Sequence, residues 1–129
     1  MFKKLDANLM VQSVENSLDF YKNILGFNEV AAVPGEAGLI FAILEKDGQN
    51  LMVQEKNSLV SELPSYQTEE IKPTVTIYIV VDNFEELYAD LKVKTEIVVE
   101  QHTTAYGAEE FAVADPDGYI ICFAKSQDN

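Results

Sequence analysis

The sequence predicts an α+β fold in which two βαβββ repeats form a cupped mixed sheet. The predicted strands and helices occur twice in the same order, and one constant shift of 70 residues superimposes the two halves. Under that shift Asp47-Gly48 falls on Asp117-Gly118, and both pairs lie between apolar strands where a tight turn is expected. We therefore expect a single domain over residues 1–129.

The first repeat is expected over about residues 5–55. Its predicted elements are a strand at 5–12, a helix entered through 14–17 and continuing to 25, and strands at 27–33, 39–44 and 51–54. Leu18, Tyr21 and Leu25 recur at helical spacing, and Gly26 is expected to end the helix. Pro34-Gly35 and Lys46-Asp47-Gly48 have the composition of turns between the strands.

The second repeat is expected over about residues 74–125, after a linker at 56–73. The linker is polar, contains two prolines and shows no sustained period, which is typical of a connection. Strands are predicted at 74–81, 95–100, 110–114 and 119–124, and a helix at 84–91. The shift of 70 places Phe41 on Phe111 and the first strand on residues 76–82.

Composition excludes several classes of partner. The chain has 22 acidic and 9 basic residues, a formal net charge of -13, and no apolar run near the roughly 18 residues of a membrane span. Such a charge repels nucleic acids and anionic lipids, so neither partner is expected, and it favours a cationic ligand. With no secretory leader evident, we expect a cytoplasmic protein, in which the single Cys122 is a buried strand thiol.

Two motifs resemble those of a known family. Ser17-Leu18-Asp19-Phe20-Tyr21 followed by Leu25-Gly26-Phe27 resembles the first helix of glyoxalase and bleomycin-resistance proteins, which belong to the vicinal oxygen chelate superfamily. The segment 106–111 followed by Asp115-Pro116-Asp117-Gly118-Tyr119 resembles the final hairpin of the same superfamily. With the repeat, the resemblance spans residues 5–125. It implies a homodimer and a ligand cup enclosed by two repeats, which belong either to one chain or, by exchange, to two chains.

Enzymes of this superfamily hold a divalent metal through the first and last strands of each repeat. The resemblance assigns those positions to Asp6, Met52, Thr76 (or Val75 after a slip of one residue) and Cys122. Methionine and threonine are poor ligands for hard divalent ions, and the cysteine has only a thioether as a soft companion. We therefore expect no catalytic metal and no cofactor, and we favour a protein without enzymatic activity.

A different register keeps an alternative open. The only histidine, His102, is expected in the loop after the sixth strand, near the mouth of the cup and at none of the four positions. If Glu55, Glu110 or His102 replaced the assigned residues, the chain would be a metal-dependent glyoxalase-type lyase or an extradiol-type dioxygenase. His102 is otherwise a candidate ligand contact.

Several further side chains are expected in the cup. Side chains alternate along a strand, so Asn8, Gln54 and Tyr78 are expected on the same face as the four assigned positions. Tyr106 is expected at the rim of the cup.

The hairpins add one aromatic residue from each repeat. Phe41 is expected on the face of Met52, and Phe111 on the face of Cys122. The complete set of candidate ligand-binding residues is Asp6, Asn8, Phe41, Met52, Gln54, Thr76, Tyr78, His102, Tyr106, Phe111 and Cys122.

The function predicted from these observations is binding of a small molecule without conversion. The chain resembles bleomycin-resistance proteins and is expected to sequester an organic ligand, with a cationic one favoured by the acidic charge, in a metal-free cup. Besides the lyase or dioxygenase alternative, a scaffold that interacts with another protein is a third possibility.

Overall fold

The first 71 residues form one βαβββ unit followed by a short helix in the computed structural model, which describes residues 1–127. The unit consists of β1 (Asn8–Val11), α1 (Val14–Asn23), β2 (Asn28–Pro34), β3 (Leu39–Lys46), β4 (Gln49–Glu55) and α2 (Lys56–Glu62), with a 3₁₀ turn at Pro64–Tyr66. Its sheet has the order β1-β4-β3-β2, in which β1 is parallel to β4 and the other neighbours are antiparallel.

The second unit begins at Lys72 and repeats this topology. It consists of β5 (Thr76–Val81), α3 (Phe84–Leu91), β6 (Val99–Thr103), β7 (Glu109–Ala114) and β8 (Ile120–Lys125). The sheet order is β5-β8-β7-β6, with β5 parallel to β8. The predicted fold of two βαβββ repeats is therefore confirmed, and each repeat forms its own four-stranded mixed sheet.

Helix α1 begins at Val14, within the predicted entry, and ends at Asn23, two residues before the predicted end at 25. The Ser13 side chain accepts a hydrogen bond from the backbone N–H of Asn16 at 3.1 Å, which satisfies one of the free donors at the helix start. Glu15 lies in the first turn and Lys22 in the last, as the helix dipole favours. Gly26, with φ of +81°, then takes a backbone conformation that a side chain would strain, so the chain can turn into β2.

Apolar residues of each unit face its helix. In the first unit Leu9 and Val11 of β1 are buried, whereas Asn8 of the same strand is exposed. In the second unit Phe111 of β7 is fully buried among aromatic rings, with ring centroids 5.3 Å from Phe84, 5.2 Å from Tyr88 and 5.3 Å from Phe123. Each sheet thus has one face that forms the core with its helix and one face opposite the helix, which we call the open face.

Two sequence-based boundaries need correction. The first part of the predicted linker is helical: α2 begins directly after β4, where the Glu55 carboxylate caps it by accepting from the N–H groups of Asn57 and Ser58. Strand β6 covers Val99–Thr103 and not 95–100, so His102 lies in a strand and not in the loop after it. No helix in the described part of the chain is long and apolar enough to cross a membrane.

The two hairpins differ in length by one residue. Ile43 pairs with Met52, nine positions later, whereas Ala112 pairs with Cys122, ten positions later. The shift of 70 residues therefore holds for β1 with β5 and β4 with β8, but β3 corresponds to β7 at a shift of 69. A register change of one residue moves every side chain of a strand to the opposite face.

Replacement of Phe111 by alanine tests its place in the aromatic core. We expect Phe111→Ala to lower the free energy of unfolding by about 3 to 5 kcal/mol, because it removes a fully buried ring and leaves a cavity. Urea denaturation followed by circular dichroism measures this loss. Phe2→Ala is the control, since Phe2 is 94% exposed and its replacement should change stability by less than about 0.5 kcal/mol. A loss below about 1 kcal/mol at position 111 would contradict the assignment.

Candidate functional site

The open face of the second sheet carries the polar side chains that the two hairpin strands and β5 bring together. Tyr78 of β5 pairs with Cys122 of β8, and Cys122 pairs with Ala112 of β7. Glu110 lies two residues before Ala112 and therefore points to the same face. This face therefore has a phenol, a thiol and a carboxylate on three neighbouring strands, β5, β8 and β7.

Glu110 is the centre of a hydrogen-bonded cluster, which we call the Glu110 group. Its Oε2 accepts from the hydroxyl of Tyr78 at 2.6 Å and from the hydroxyl of Tyr106 at 2.9 Å. The Sγ of Cys122 lies 3.5 Å from Oε1 and donates to it. Glu110 is only 7% exposed, whereas Tyr78 and Tyr106 are 48% and 74% exposed, so the two phenols form the solvent side of the group.

These contacts hold Glu110 in its ionised form. The hydroxyl of Tyr78 keeps the pKa of the Glu110 carboxyl below its ordinary value, and Tyr106 and Cys122 act in the same direction against the effect of burial. In turn, the hydrogen bond to Glu110 raises the pKa of Tyr78. Burial, followed by the neighbouring carboxylate, raises the pKa of Cys122 to about 11. At neutral pH Glu110 is therefore a carboxylate, while the Tyr78 phenol and the Cys122 thiol are neutral.

His102 is next to this group on β6. It pairs with Glu110 across the strands, and its Nδ1 lies 2.9 Å from the backbone oxygen of Glu100. The strand is irregular between Val99 and His102, and the histidine is exposed. Its proximity favours the charged form of Glu110.

Four of the predicted ligand-binding residues therefore lie together: Tyr78, His102, Tyr106 and Cys122. The residue that organises them, Glu110, was considered in the sequence only as an alternative metal ligand. One sequence signal for it is a carboxylate directly before the apolar run 111–114, because a charge at the start of a buried strand needs polar partners.

The open face of the first sheet has amides in place of a carboxylate. Asn8 donates to Gln54 at 2.9 Å, and Gln54 donates to Ser58 of α2 at 2.9 Å and to Glu62. Gln54 is buried and its amide is directed at α2.

Phe41 lies on this same open face. It pairs with Gln54, as Ile43 pairs with Met52, so Phe41 and Met52 share a face as predicted.

The predicted face of Phe111 is wrong. Phe111 pairs with Phe123 and lies on the helix side of the sheet, because the longer hairpin moves β7 by one residue relative to β3. Glu110, and not Phe111, occupies the position that corresponds to Phe41.

Two further candidates lie at the strand starts. Thr76 is the first residue of β5, opposite Ile120, and is exposed. Asp6 precedes β1 and forms an ion pair with Lys4 at 3.1 Å. In the paired registers, Met52 lies next to Asn8 and Cys122 next to Tyr78, so Asp6 and Thr76 are not the immediate neighbours of the two sulfur residues.

The metal positions implied by the resemblance do not fit a hard divalent ion. Cys122 would bind as a thiolate, which is a soft ligand that hard divalent ions do not prefer, and its thiol instead donates to Glu110. Met52 offers a thioether, Thr76 a neutral hydroxyl, and Asp6 is paired with a lysine. Among residues 1–127 no three His, Cys, Asp or Glu side chains are grouped so that they could hold a metal ion.

The pH dependence of Cys122 alkylation tests the electrostatics of the group. We expect the rate of reaction with iodoacetamide to rise with a midpoint near pH 11, because at pH 8 only about one thiol in a thousand is ionised. The chain has one cysteine, so mass spectrometry reports this site alone. Urea-unfolded protein is the control and should show the ordinary midpoint of about 8.5. Because folding raises the pKa of this thiol, the free energy of unfolding should also fall between about pH 9 and 11. A folded-state midpoint below 9 would contradict the assignment.

Comparison with known proteins places this fold and sequence in a family. No curated protein sequence matches the chain. A protein of unknown function from Agrobacterium tumefaciens str. C58 superimposes with a TM-score of 0.77 at 20% identity, covering 98% of this chain and 95% of the other. TioX from Micromonospora sp. ML1 gives a TM-score of 0.72 at 15% identity, with 96% and 98% of the chains covered. Lactoylglutathione lyase from Agrobacterium tumefaciens gives 0.70 at 15% identity, with 97% and 94% covered.

These sequence identities are low, so the similarity to these structures shows a common fold alone. The sequence itself is more specific. The model of one family, described as the Glyoxalase/Bleomycin resistance protein/Dioxygenase superfamily, matches residues 5–123. The chain therefore belongs to this superfamily.

Proposed function

We propose that this protein binds a small organic cation on the open face of its second sheet and sequesters it without chemical conversion. One observation carries the proposal: a nearly buried carboxylate, Glu110, is held ionised by two phenols. Among residues 1–127, the ion pairs all involve other carboxylates, and Glu110 forms none. A buried charge without a counter-ion is costly, and a bound cation would supply the opposite charge.

The surroundings of the carboxylate support a cationic ligand. The rings of Tyr78 and Tyr106 are largely accessible, and aromatic faces attract cations through their quadrupole. Val80 is exposed on the same face of β5, where it can contact the apolar part of an organic molecule. The net charge of -13 would draw cations to the protein from a distance.

Removal of the Glu110 charge is the direct test. We expect Glu110→Gln to weaken the binding of 2-phenylethylamine, used as a probe cation, by about 30-fold or more, because loss of one partner of a buried charge pair typically costs about 2 kcal/mol or more. Isothermal titration calorimetry measures the Kd. The neutral isostere 2-phenylethanol should bind weakly, and about equally, to both proteins.

Glu109→Gln is the matched control. It removes the same charge from the neighbouring residue, which is exposed and lies 3.5 Å from Lys125. We expect it to change the Kd by less than about threefold, since exposed charge pairs contribute little. Equal losses in the two variants would mean that the overall acidic field attracts the cation and that Glu110 is not a site. Cation binding unaffected by either change would refute the proposal.

A metal-dependent lyase or dioxygenase is the alternative that the family resemblance allows. The chemistry of Asp6, Met52, Thr76 and Cys122 does not favour it. We expect nickel, zinc, manganese and iron(II) each to leave the melting temperature unchanged and to bind with less than one ion per chain. Tight binding of one ion per chain that is lost in Asp6→Ala would reverse the order of the two functions. Pairing of two chains as a homodimer is a further proposal from the family resemblance.

A further inference from the structure

The chemistry of the Glu110 group determines which of its members donate hydrogen bonds and which accept them. An ionised carboxylate has no proton, so each phenol that bonds to it must be the donor. Tyr78 and Tyr106 have one O–H each, and both are directed at Oε2 of Glu110 at 2.6 and 2.9 Å. The thiol proton of Cys122 is directed at Oε1. Every proton of the group is therefore used inside it.

What the group offers to a ligand is a set of acceptors. A carboxylate oxygen accepts about two hydrogen bonds, so Oε2 is filled by the two phenols and Oε1 keeps one position. Each phenol oxygen also keeps lone pairs, and both lie on the solvent side of the group. The acceptors left for a ligand are therefore three oxygens, Oε1 of Glu110 and the two phenol oxygens, and the group has no donor for a carboxylate or phosphate ligand.

The number of free acceptor positions also discriminates between classes of cation. A guanidinium binds carboxylates best through two parallel N–H bonds, one to each oxygen, but Oε2 is already filled. A quaternary ammonium has no N–H and would leave all three acceptors without partners. A primary ammonium is compact and has three N–H donors, which equals the number of available acceptors.

We propose that the Glu110 group recognises a primary ammonium group carried on an apolar or aromatic body. This inference rests on the proposed function and specifies its ligand class. The rings of Tyr78 and Tyr106 and the exposed Val80 would contact the body, while Glu110 Oε1 and the two phenol oxygens accept from the ammonium.

A series of ligands with one body and four head groups tests the inference. The members are 2-phenylethylamine, 2-phenylethylguanidine, trimethyl(2-phenylethyl)ammonium and 3-phenylpropanoate, each titrated calorimetrically into the intact protein. We expect the primary amine to bind about tenfold more tightly than the guanidine and the quaternary ammonium, and the carboxylate to show no binding. Equal or tighter binding of the quaternary ammonium would overturn the inference.

Removal of the Tyr106 hydroxyl provides a second test, which measures the order of amine and guanidine affinities. If Tyr106 only stabilised the fold, its replacement would not change that order. In Tyr106→Phe, Oε2 loses one donor and regains an acceptor position, so both carboxylate oxygens become available for a guanidinium. We expect this variant to bind the amine several-fold more weakly and the guanidine more tightly, which reverses or removes the preference. Tyr66→Phe, at an exposed tyrosine of the first unit, is the control and should keep the wild-type order. Circular dichroism confirms that each variant is folded.

The outcomes separate this inference from the proposed function. If all three cations bind equally and all are weakened by Glu110→Gln, the cation site stands and the primary-amine preference falls. If Glu110→Gln changes the binding of no head group, the proposed function falls and the inference falls with it.

Discussion

The register of the hairpin between β7 and β8 determines which side chains of the second unit meet solvent. A turn of five residues, Asp115 to Tyr119, separates the last pair of the ladder, Ala114 and Ile120. Oδ1 of Asp115 accepts from the backbone N–H groups of Asp117 and Tyr119, both at 2.9 Å, and Gly118 takes a φ of +90°. These bonds hold the turn at one length, and the length places Glu110 on the open face and its neighbour in the core.

Both consequences of that register stabilise it. Phe111 is packed among three aromatic rings on the helix side, so a slip of one residue would expose a large apolar ring. The same slip would direct the Glu110 carboxylate into the aromatic core and separate it from Tyr78 and Tyr106. The hydrogen-bonded group on one face and the ring cluster on the other therefore depend on the same turn.

Much of the fold could be predicted from the sequence, because most elements are determined by residues that are close together in the chain. The periodicity of α1 and α3, Gly26 and the two Asp-Gly pairs located most elements to within a few residues. The exceptions have physical causes. The helix α2 is too short for a period to show and is capped by Glu55, the last residue of β4. Strand β6 is exposed along its whole length and therefore has no apolar alternation.

The candidate site was less accessible to sequence reasoning. Aligning the repeats on Asp47-Gly48 and Asp117-Gly118 treats two different turns as equivalent. The first pair forms the whole turn between Lys46 and Gln49, whereas the second is part of a longer loop held by Asp115. The constant shift of 70 residues therefore predicts Phe111 at the position where Glu110 lies. The site offers only acceptors because Tyr78, Tyr106 and Cys122 all donate their protons to Glu110. These hydrogen bonds are defined only once the side chains are assembled in the fold.

The one-residue difference between the hairpins has a consequence for how duplicated modules diverge. After a duplication both copies present equivalent residues, and substitutions would have to change each exposed position separately. A difference of one residue in a turn instead reverses which side chains of the preceding strand face the core and which face solvent. The two halves of this chain illustrate the result: the same strand position presents phenylalanine in one half and a glutamate in the other. The length of a turn thus contributes to which chemical groups such a face presents.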